Sequence, residues 1–275
     1  MKIACVIYSN SEKYFELHQC ATQSFRTFHP DIPLFSIDKN TPLPEGLDEG
    51  FHQLPAGVQK YVISLHVARQ QGLDKLIILG ADTITCSRLV EFIEGTEDIL
   101  ATLDYPYQFS ITANGKLIQS PDDQTHVNAD VVCFNNLEAL AAIIKAAGGH
   151  SLYFEQGGLN EVLWTDDYNY SFRIMDYPYQ ESDVVYNTRA KGNICDTDGS
   201  KPWDKYTNQF FVEDGKLFTG ADAKPKQIRV FHYCDGLFNS SDARAQGLIT
   251  WWKENGFNEV TKKFFVEQCN CDFFR

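Results

Sequence analysis

Apolar and polar positions change period along the first half of the chain, and each change marks an element. Ile3–Tyr8 is a continuous apolar run of strand length, residues 11–28 carry helical spacing, and residues 33–37 form a second short run that closes on Asp38. After a polar, Pro-containing stretch over 39–55, Val58, Tyr61, Val62, Leu65 and Ala68 share one side of a helix over 58–71. Gly72 supplies its left-handed terminus. The segment 76–85 reads Leu-Ile-Ile-Leu-Gly-Ala-Asp-Thr-Ile-Thr, a strand (75–79) apolar on both faces, as in a parallel or mixed sheet, with Asp82 where it leaves the core. Further on, the pattern predicts a helix over 87–94 with Ser87 as its N-cap, and a strand over 99–103. A hairpin at Asn114-Gly115, a strand over 127–134 and helices over 137–147 and 153–164 follow.

This alternation predicts an α/β architecture, a mixed sheet with helices on both faces. Beyond residue 166 the pattern breaks. Residues 166–209 are rich in Asp, Asn, Tyr, Gly and Pro and read as loops and short strands, before a late strand over 227–233 and a terminal helix over 242–255 with Trp251 and Trp252. With no repeat, low-complexity tract or clean linker, the expectation is one domain over 1–275, its ligand-binding part in 1–165 and an irregular part in 166–275.

Composition narrows the class. The chain of 275 residues is 43% hydrophobic and 22% charged, which is globular rather than disordered. Its 13% aromatic residues suit a packed core and stacking or carbohydrate-facing surfaces. A net charge of −13 argues against nucleic acid and anionic lipid as partners, although a cation can carry a diphosphate to an acidic protein. No apolar run approaches the ~20 residues of a membrane span. The N-terminus enters a strand without a signal-like segment, so the expected location is cytoplasmic. Cys5, Cys20, Cys86, Cys133, Cys195, Cys234, Cys269 and Cys271 include no C-x-x-C pair and read as free thiols, Cys5 and Cys133 as small core residues.

In open α/β sheets ligands bind at the carboxyl ends of strands. Asp82 stands there either as a hard oxygen ligand for a divalent cation or as part of a strand-end turn. Tyr8, Ser9 and Asn10 end the first strand, and Asp38 ends the second; they read either as ligand contacts at that edge or as ordinary strand-end residues.

Four segments, in order across 1–236, resemble the GT-A fold nucleotide-sugar glycosyltransferases of the glycogenin and lipopolysaccharide galactosyltransferase type, glycosyltransferase family 8. Gly80-Ala-Asp-Thr stands where the family carries Asp-x-Asp, with Gly80 for the first acid. Val127-Asn-Ala-Asp-Val-Val-Cys-Phe-Asn135 is similar to Asn-x-Gly-hydrophobic-Asn, with Asp130 for the Gly. Phe154-Glu-Gln-Gly-Gly-Leu-Asn160 is similar to Asp-Gln-Asp-x-x-Asn, with Gly157 for the second acid. Val230-Phe-His-Tyr-Cys-Asp-Gly236 is similar to the late-strand His-x-x-Gly segment.

The resemblance implies a Rossmann-like GT-A fold and transfer of a sugar from a UDP-linked donor, with retention. It implies Mn²⁺ or Mg²⁺ held by Asp82 and His232, donor contacts from Ala81, Lys60 and Asn128, and Gln156 near the anomeric carbon. An inverting enzyme would need a general base, for which Asp130 or Glu155 could serve. Asp235 is a candidate to compensate for the acid missing at Gly80. Lys201-Pro-Trp203 precedes His232, whereas the family's Lys-Pro-Trp follows it, so no phosphate role passes to Lys201. The acceptor, whether carbohydrate, lipid-linked or protein, is not encoded in any motif. Gly80 and Gly157 also admit a degenerate, non-catalytic module that binds sugar or a partner protein. A nucleotidyltransferase would need a Gly-rich loop after the first strand, and Ser9-Asn-Ser-Glu has no glycine.

Overall fold

Three strands run parallel at the centre: β1 (Ile3–Tyr8) lies between β2 (Leu34–Ile37) and β3 (Lys75–Gly80). The computed structural model describes residues 1–47, 49–104, 110–122, 125–151, 154–178, 181–188, 210–220, 223–232 and 259–275. β8 (Val127–Phe134) adds antiparallel to β3, β5 (Ile99–Leu103) antiparallel to β8, and β9 (Phe172–Ile174) parallel to β5, giving the order β2-β1-β3-β8-β5-β9. The sheet is therefore mixed, as the pattern predicts.

Alternation along β1 and β3 explains why both runs are apolar throughout. Val6, Tyr8, Leu76 and Ile78 face a core shared with α2 (Ala56–Gln71), α4 (Leu137–Ala147) and α5 (Phe154–Trp164). Cys5, Ile7, Ile77 and Leu79 face the other side, with Phe25 of α1 (Phe15–Phe28) and Phe92 of α3 (Val90–Glu94). Helices thus cover both faces. Gly72 ends α2 at φ 59°, where a side chain would be strained, and the Asn136 side chain caps α4 by accepting from the Glu138 N–H.

Smaller sheets surround this layer. β4 (Thr83–Thr85) pairs antiparallel with β14 (Val230–His232), and β6 (Ser110–Ala113) with β7 (Lys116–Gln119) through Asn114-Gly115, as predicted. A four-stranded sheet runs β10 (Val184–Val185), β13 (Gln227–Ile228), β12 (Lys216–Thr219), β11 (Phe210–Glu213). A last helix, α6 (Glu259–Glu267), packs Phe264 and Phe265 against Phe231 and Leu17 in a separate apolar cluster.

Two local expectations change, and one turn is added to them. Ser87 does not cap α3, which begins at Val90 without a side-chain cap; the Ser87 hydroxyl instead accepts from Arg229. The late strand divides at Arg229, whose N–H donates to Val185 and whose carbonyl accepts from Cys86, so β13 and β14 join different sheets. The β11–β12 hairpin turns at Asp214-Gly215, both at positive φ, an Asp-Gly turn signal present in the sequence but not read there. The helix expected over 242–255, Trp251, Trp252, Cys195 and Cys234 lie outside the described residues. No helix among the described residues is long and apolar enough to cross a membrane.

Candidate cation and donor site

The parallel strands end side by side: Tyr8 is registered with Ile37 on one flank and Gly80 on the other. From β3 the chain passes through Ala81 and Asp82 and returns as β4, which holds Asp82 at the carboxyl edge of the sheet. Asp82 is buried, and its Oδ2 has no hydrogen-bond partner. A buried carboxylate oxygen left without a donor is destabilising by roughly 1–3 kcal/mol or more, so its retention points to a ligand.

His232 reaches the same place from the end of β14, opposite Thr83. Its backbone N–H donates to the Thr188 hydroxyl at 2.9 Å, and its Nδ1 lies 3.1 Å from Asn187 Oδ1. The Asn187 amide nitrogen donates to the Leu103 carbonyl at 2.8 Å, which turns its oxygen toward the ring and makes Nδ1 the protonated nitrogen. Nε2 is then presented to two carboxylates, 3.3 Å from Asp82 Oδ1 and 3.8 Å from Asp130 Oδ2. A nitrogen lone pair facing two anionic oxygens is repulsive, and either a proton on Nε2 or a cation among the three groups removes the conflict. One ligand atom each from Asp82, Asp130 and His232 lies within 4.8 Å of the others. Two carboxylates and an imidazole can coordinate a divalent cation.

Asp130 enters this group by register. With Leu79 opposite Val131 in the antiparallel β3–β8 pair, Gly80 and Asp130 are the next cross-strand neighbours. A β-carbon on Gly80 would lie 2.8 Å from Asp82 Oδ1 and 3.0 Å from Asp130 Cβ. The volume a side chain at 80 would need is already filled by the acid of the adjacent strand. Where the resemblance leads one to expect an acid at 80 and a glycine at 130, this chain carries the reverse, and the carboxylate reaches the same corner from β8.

Lys60, from α2, is buried and ion-paired with Asp130. Burial works against its charge, yet the carboxylates of Asp130, Glu155 and Asp82 together lift the ammonium above the ordinary lysine value. Glu155, in the first turn of α5, lays its carboxylate on Gly57 in the first turn of α2, where a β-carbon would overlap it.

Gln156 and Asn128 form a second, adjoining network. Gln156 Nε2 donates to Asp104 Oδ2 at 2.7 Å, and its Oε1 accepts from the Ala129 N–H at 3.3 Å. Asn128 donates to Asp104 at 3.3 Å and accepts from the Asp130 N–H at 2.7 Å, linking the two networks through the backbone of β8. A β-carbon at Gly157 would meet His150 Nδ1 at 2.5 Å, so the buried His150 excludes a side chain where the resemblance expects a second acid.

The ends of β1 and β2 are more self-contained. Tyr8 and Asn10 both donate to Gln59 Oε1 of α2, and the buried Tyr8 ring sits edge-on to Phe51. Desolvation pushes the Tyr8 phenol up to about 12. The Ser9 N–H continues the β2 ladder to Ile37. Asp38 closes a turn on Thr41 and Asn40, and the Thr41 hydroxyl holds its carboxyl below the usual range. Asp235, Gly236 and Lys201 lie outside the described residues. Asn187, Thr188, Asp104 and Gln59 were not foreseen. Asn187 and His232 are 45 positions apart, and nothing local marks the pair.

No protein-family model and no curated protein sequence matches the chain. Among solved structures, the galactosyltransferase LgtC, in complex with donor and acceptor sugar analogs, is 15% identical over 97% of this chain and 95% of its own, with a TM-score of 0.48. A glycosyltransferase involved in glycosylation of the major capsid of PBCV-1 is 11% identical over 74% of this chain and 97% of its own, at 0.45. The glycosyltransferase GlyE of Streptococcus pneumoniae is 15% identical over 97% of this chain and 63% of its own, at 0.43. No family follows from these likenesses. The functional reading rests on the chain's own residues.

Proposed function

We propose that the protein is a cation-assisted glycosyltransferase of GT-A type, moving a sugar from a UDP-linked donor to an acceptor with retention. The observation that carries this reading is the convergence of Asp82, Asp130 and His232 at the carboxyl edge of three parallel strands, with Lys60 beside them. The donor set fits Mn²⁺ or Mg²⁺: Asp82 Oδ2 is a buried oxygen without a donor, and the His232 tautomer set by Asn187 directs Nε2 into the cluster. A divalent cation bound there supplies Lewis-acid stabilisation of a departing diphosphate.

The protein groups divide the remaining work. Lys60 contributes fixed positive charge toward the donor phosphates. Tyr8, Ser9, Asn10, Asp38 and Ala81 form the rim for base and ribose, and Asn128 faces the sugar. Gln156, clamped by Asp104 and the Ala129 N–H, keeps a neutral carbonyl oxygen at a defined position near the anomeric carbon, where positive character grows as the leaving group departs. In the inverting alternative Glu155 is the better-supported base, because Asp130 is engaged with Lys60 and the cation cluster.

The two substitutions that favoured a non-catalytic module each have a local reason. Asp130 fills the space at Gly80, and His150 fills it at Gly157. Titration calorimetry with UDP, with and without Mn²⁺, tests the reading: binding that requires the metal is expected, and absence of UDP binding with Mn²⁺ present overturns it.

A further inference from the structure

Four of the eight cysteines meet behind the β4–β14 ribbon. Cys20 lies on α1, Cys86 directly follows β4, and Cys269 and Cys271 lie in the tail after α6. All four are free thiols, none more than 2% exposed, in one apolar cluster with Ile84, Phe231 and Phe265. Asn270, between the tail cysteines, is left-handed at φ 57°. The N–H groups of Cys269 and Cys271 bond back to the Phe264 and Phe265 carbonyls at 3.3 and 2.9 Å, fixing the turn against the helix end.

Within the cluster the tail thiols lie among those of the body, Cys269 beside Cys86 and Cys271 beside Cys20. The Cys271 sulfur also lies 3.7 Å from the Cys20 carbonyl oxygen. Among the described residues the only set of three or more metal-type ligand atoms within 4.8 Å of one another is Asp82, Asp130 and His232, so the four sulfurs do not close into one coordination shell. Cys5 and Cys133 make a useful contrast. Both are registered with Ile77, from opposite flanks, which separates them by two strand spacings, about 10 Å, too far for a bond.

We propose that Cys20–Cys271 and Cys86–Cys269 are disulfide-forming pairs that strap the C-terminal tail to α1 and to the ribbon carrying His232. In each pair one thiol loses its proton and its thiolate attacks a small-molecule disulfide such as oxidised glutathione, expelling one glutathione thiolate. The partner thiolate then displaces the second glutathione, so two electrons and two protons pass from the protein to the oxidant, which leaves as two thiols. Burial, then the neighbouring thiols, push Cys269 and Cys271 well above the ordinary cysteine value, which slows exchange in the docked tail and is the reason mild urea is used in the test. Each bond would close a very long loop and so restrict the unfolded chain.

The test is incubation of the full chain with oxidised glutathione in mild urea, followed by dilution, alkylation and non-reducing peptide mapping. Both named cross-links are expected, with four of the eight thiols lost, Cys5 and Cys133 still alkylated, and an unfolding midpoint that rises and is restored by reductant. Cys271→Ser should lose the link to Cys20 and keep Cys86–Cys269. Eight alkylatable thiols after oxidation overturn the proposal, as does a Cys269–Cys271 link. Retention of one zinc ion per chain until the thiols are alkylated also overturns it, in favour of a shared metal.

Discussion

Two polar networks lie side by side on β8, and they are built on opposite principles. Around Gln156 donors meet acceptors: the amide of Gln156 is held by Asp104 and the Ala129 N–H, and Asn128 bridges Asp104 to the backbone of Asp130. At the Asp82 corner like faces like, with two carboxylates turned on an imidazole nitrogen and one carboxylate oxygen without a donor. A satisfied network positions, whereas a conflicted one is completed by something that binds. The difference separates the residues expected to hold a cation from those expected to hold the sugar in place.

The strongest way to break this comparison is to move the acid. Asp130→Gly should lower Mn²⁺-linked UDP affinity by more than the roughly 10–100-fold typical of losing an outer partner, because a ligand itself is removed. Gly80→Asp alone should fail, since its β-carbon meets Asp130. The double variant Gly80→Asp/Asp130→Gly should recover most of the affinity by calorimetry. If the double variant is no better than Asp130→Gly, the two strands are not exchanging one carboxylate.

On the satisfied side, Gln156→Ala should reduce kcat by about 10²-fold with a nearly unchanged KM for the donor, the signature of an interaction realised in the transition state. A raised KM at constant kcat would make Gln156 a ground-state contact only. Between the networks stands Asn187, which belongs to neither by sequence. Asn187→Ala frees the His232 ring and should weaken the metal by roughly 10–100-fold; it also takes the donor from the buried Leu103 carbonyl, so the titration is read on protein shown to be folded. An unaltered metal titration would remove Asn187 from the support of the site.

His29 sharpens the comparison from outside both networks, with the smallest effect. It is a buried histidine whose Nε2 accepts the Leu89 N–H at 2.9 Å, so it must stay neutral. Burial, chiefly, lowers it to about 4. A folded value below the unfolded one means that its stabilisation is present above about pH 6.5 and is lost as pH falls toward about 4. The loss at pH 5 is about 2 kcal/mol at most. Denaturant unfolding of wild type and His29→Gln at pH 7 and pH 5 checks this, and equal slopes in both would refute it.

The expected exchange of acids also shows where sequence reading stops. β1, β3, β8, α2 and α4 are legible because each is set by local periodicity and capping, and Asp82 and His232 are legible because each ends an apolar run. Asp130 could be named but not placed. Its neighbour Gly80 is 50 positions away, and only the antiparallel register of β3 and β8 turns a glycine and an aspartate into alternatives for one volume.

By itself, then, the sequence determined the α/β alternation, the two-faced burial of the central strands and the acid at their carboxyl edge, since period and length are properties of short segments. Tertiary structure alone decided which side chains meet. Asn187 orients His232, His150 forbids a side chain at Gly157, and Cys20 and Cys86 face the tail cysteines. Those contacts join segments far apart in the chain, and their geometry follows from strand register and helix packing, which no local pattern carries.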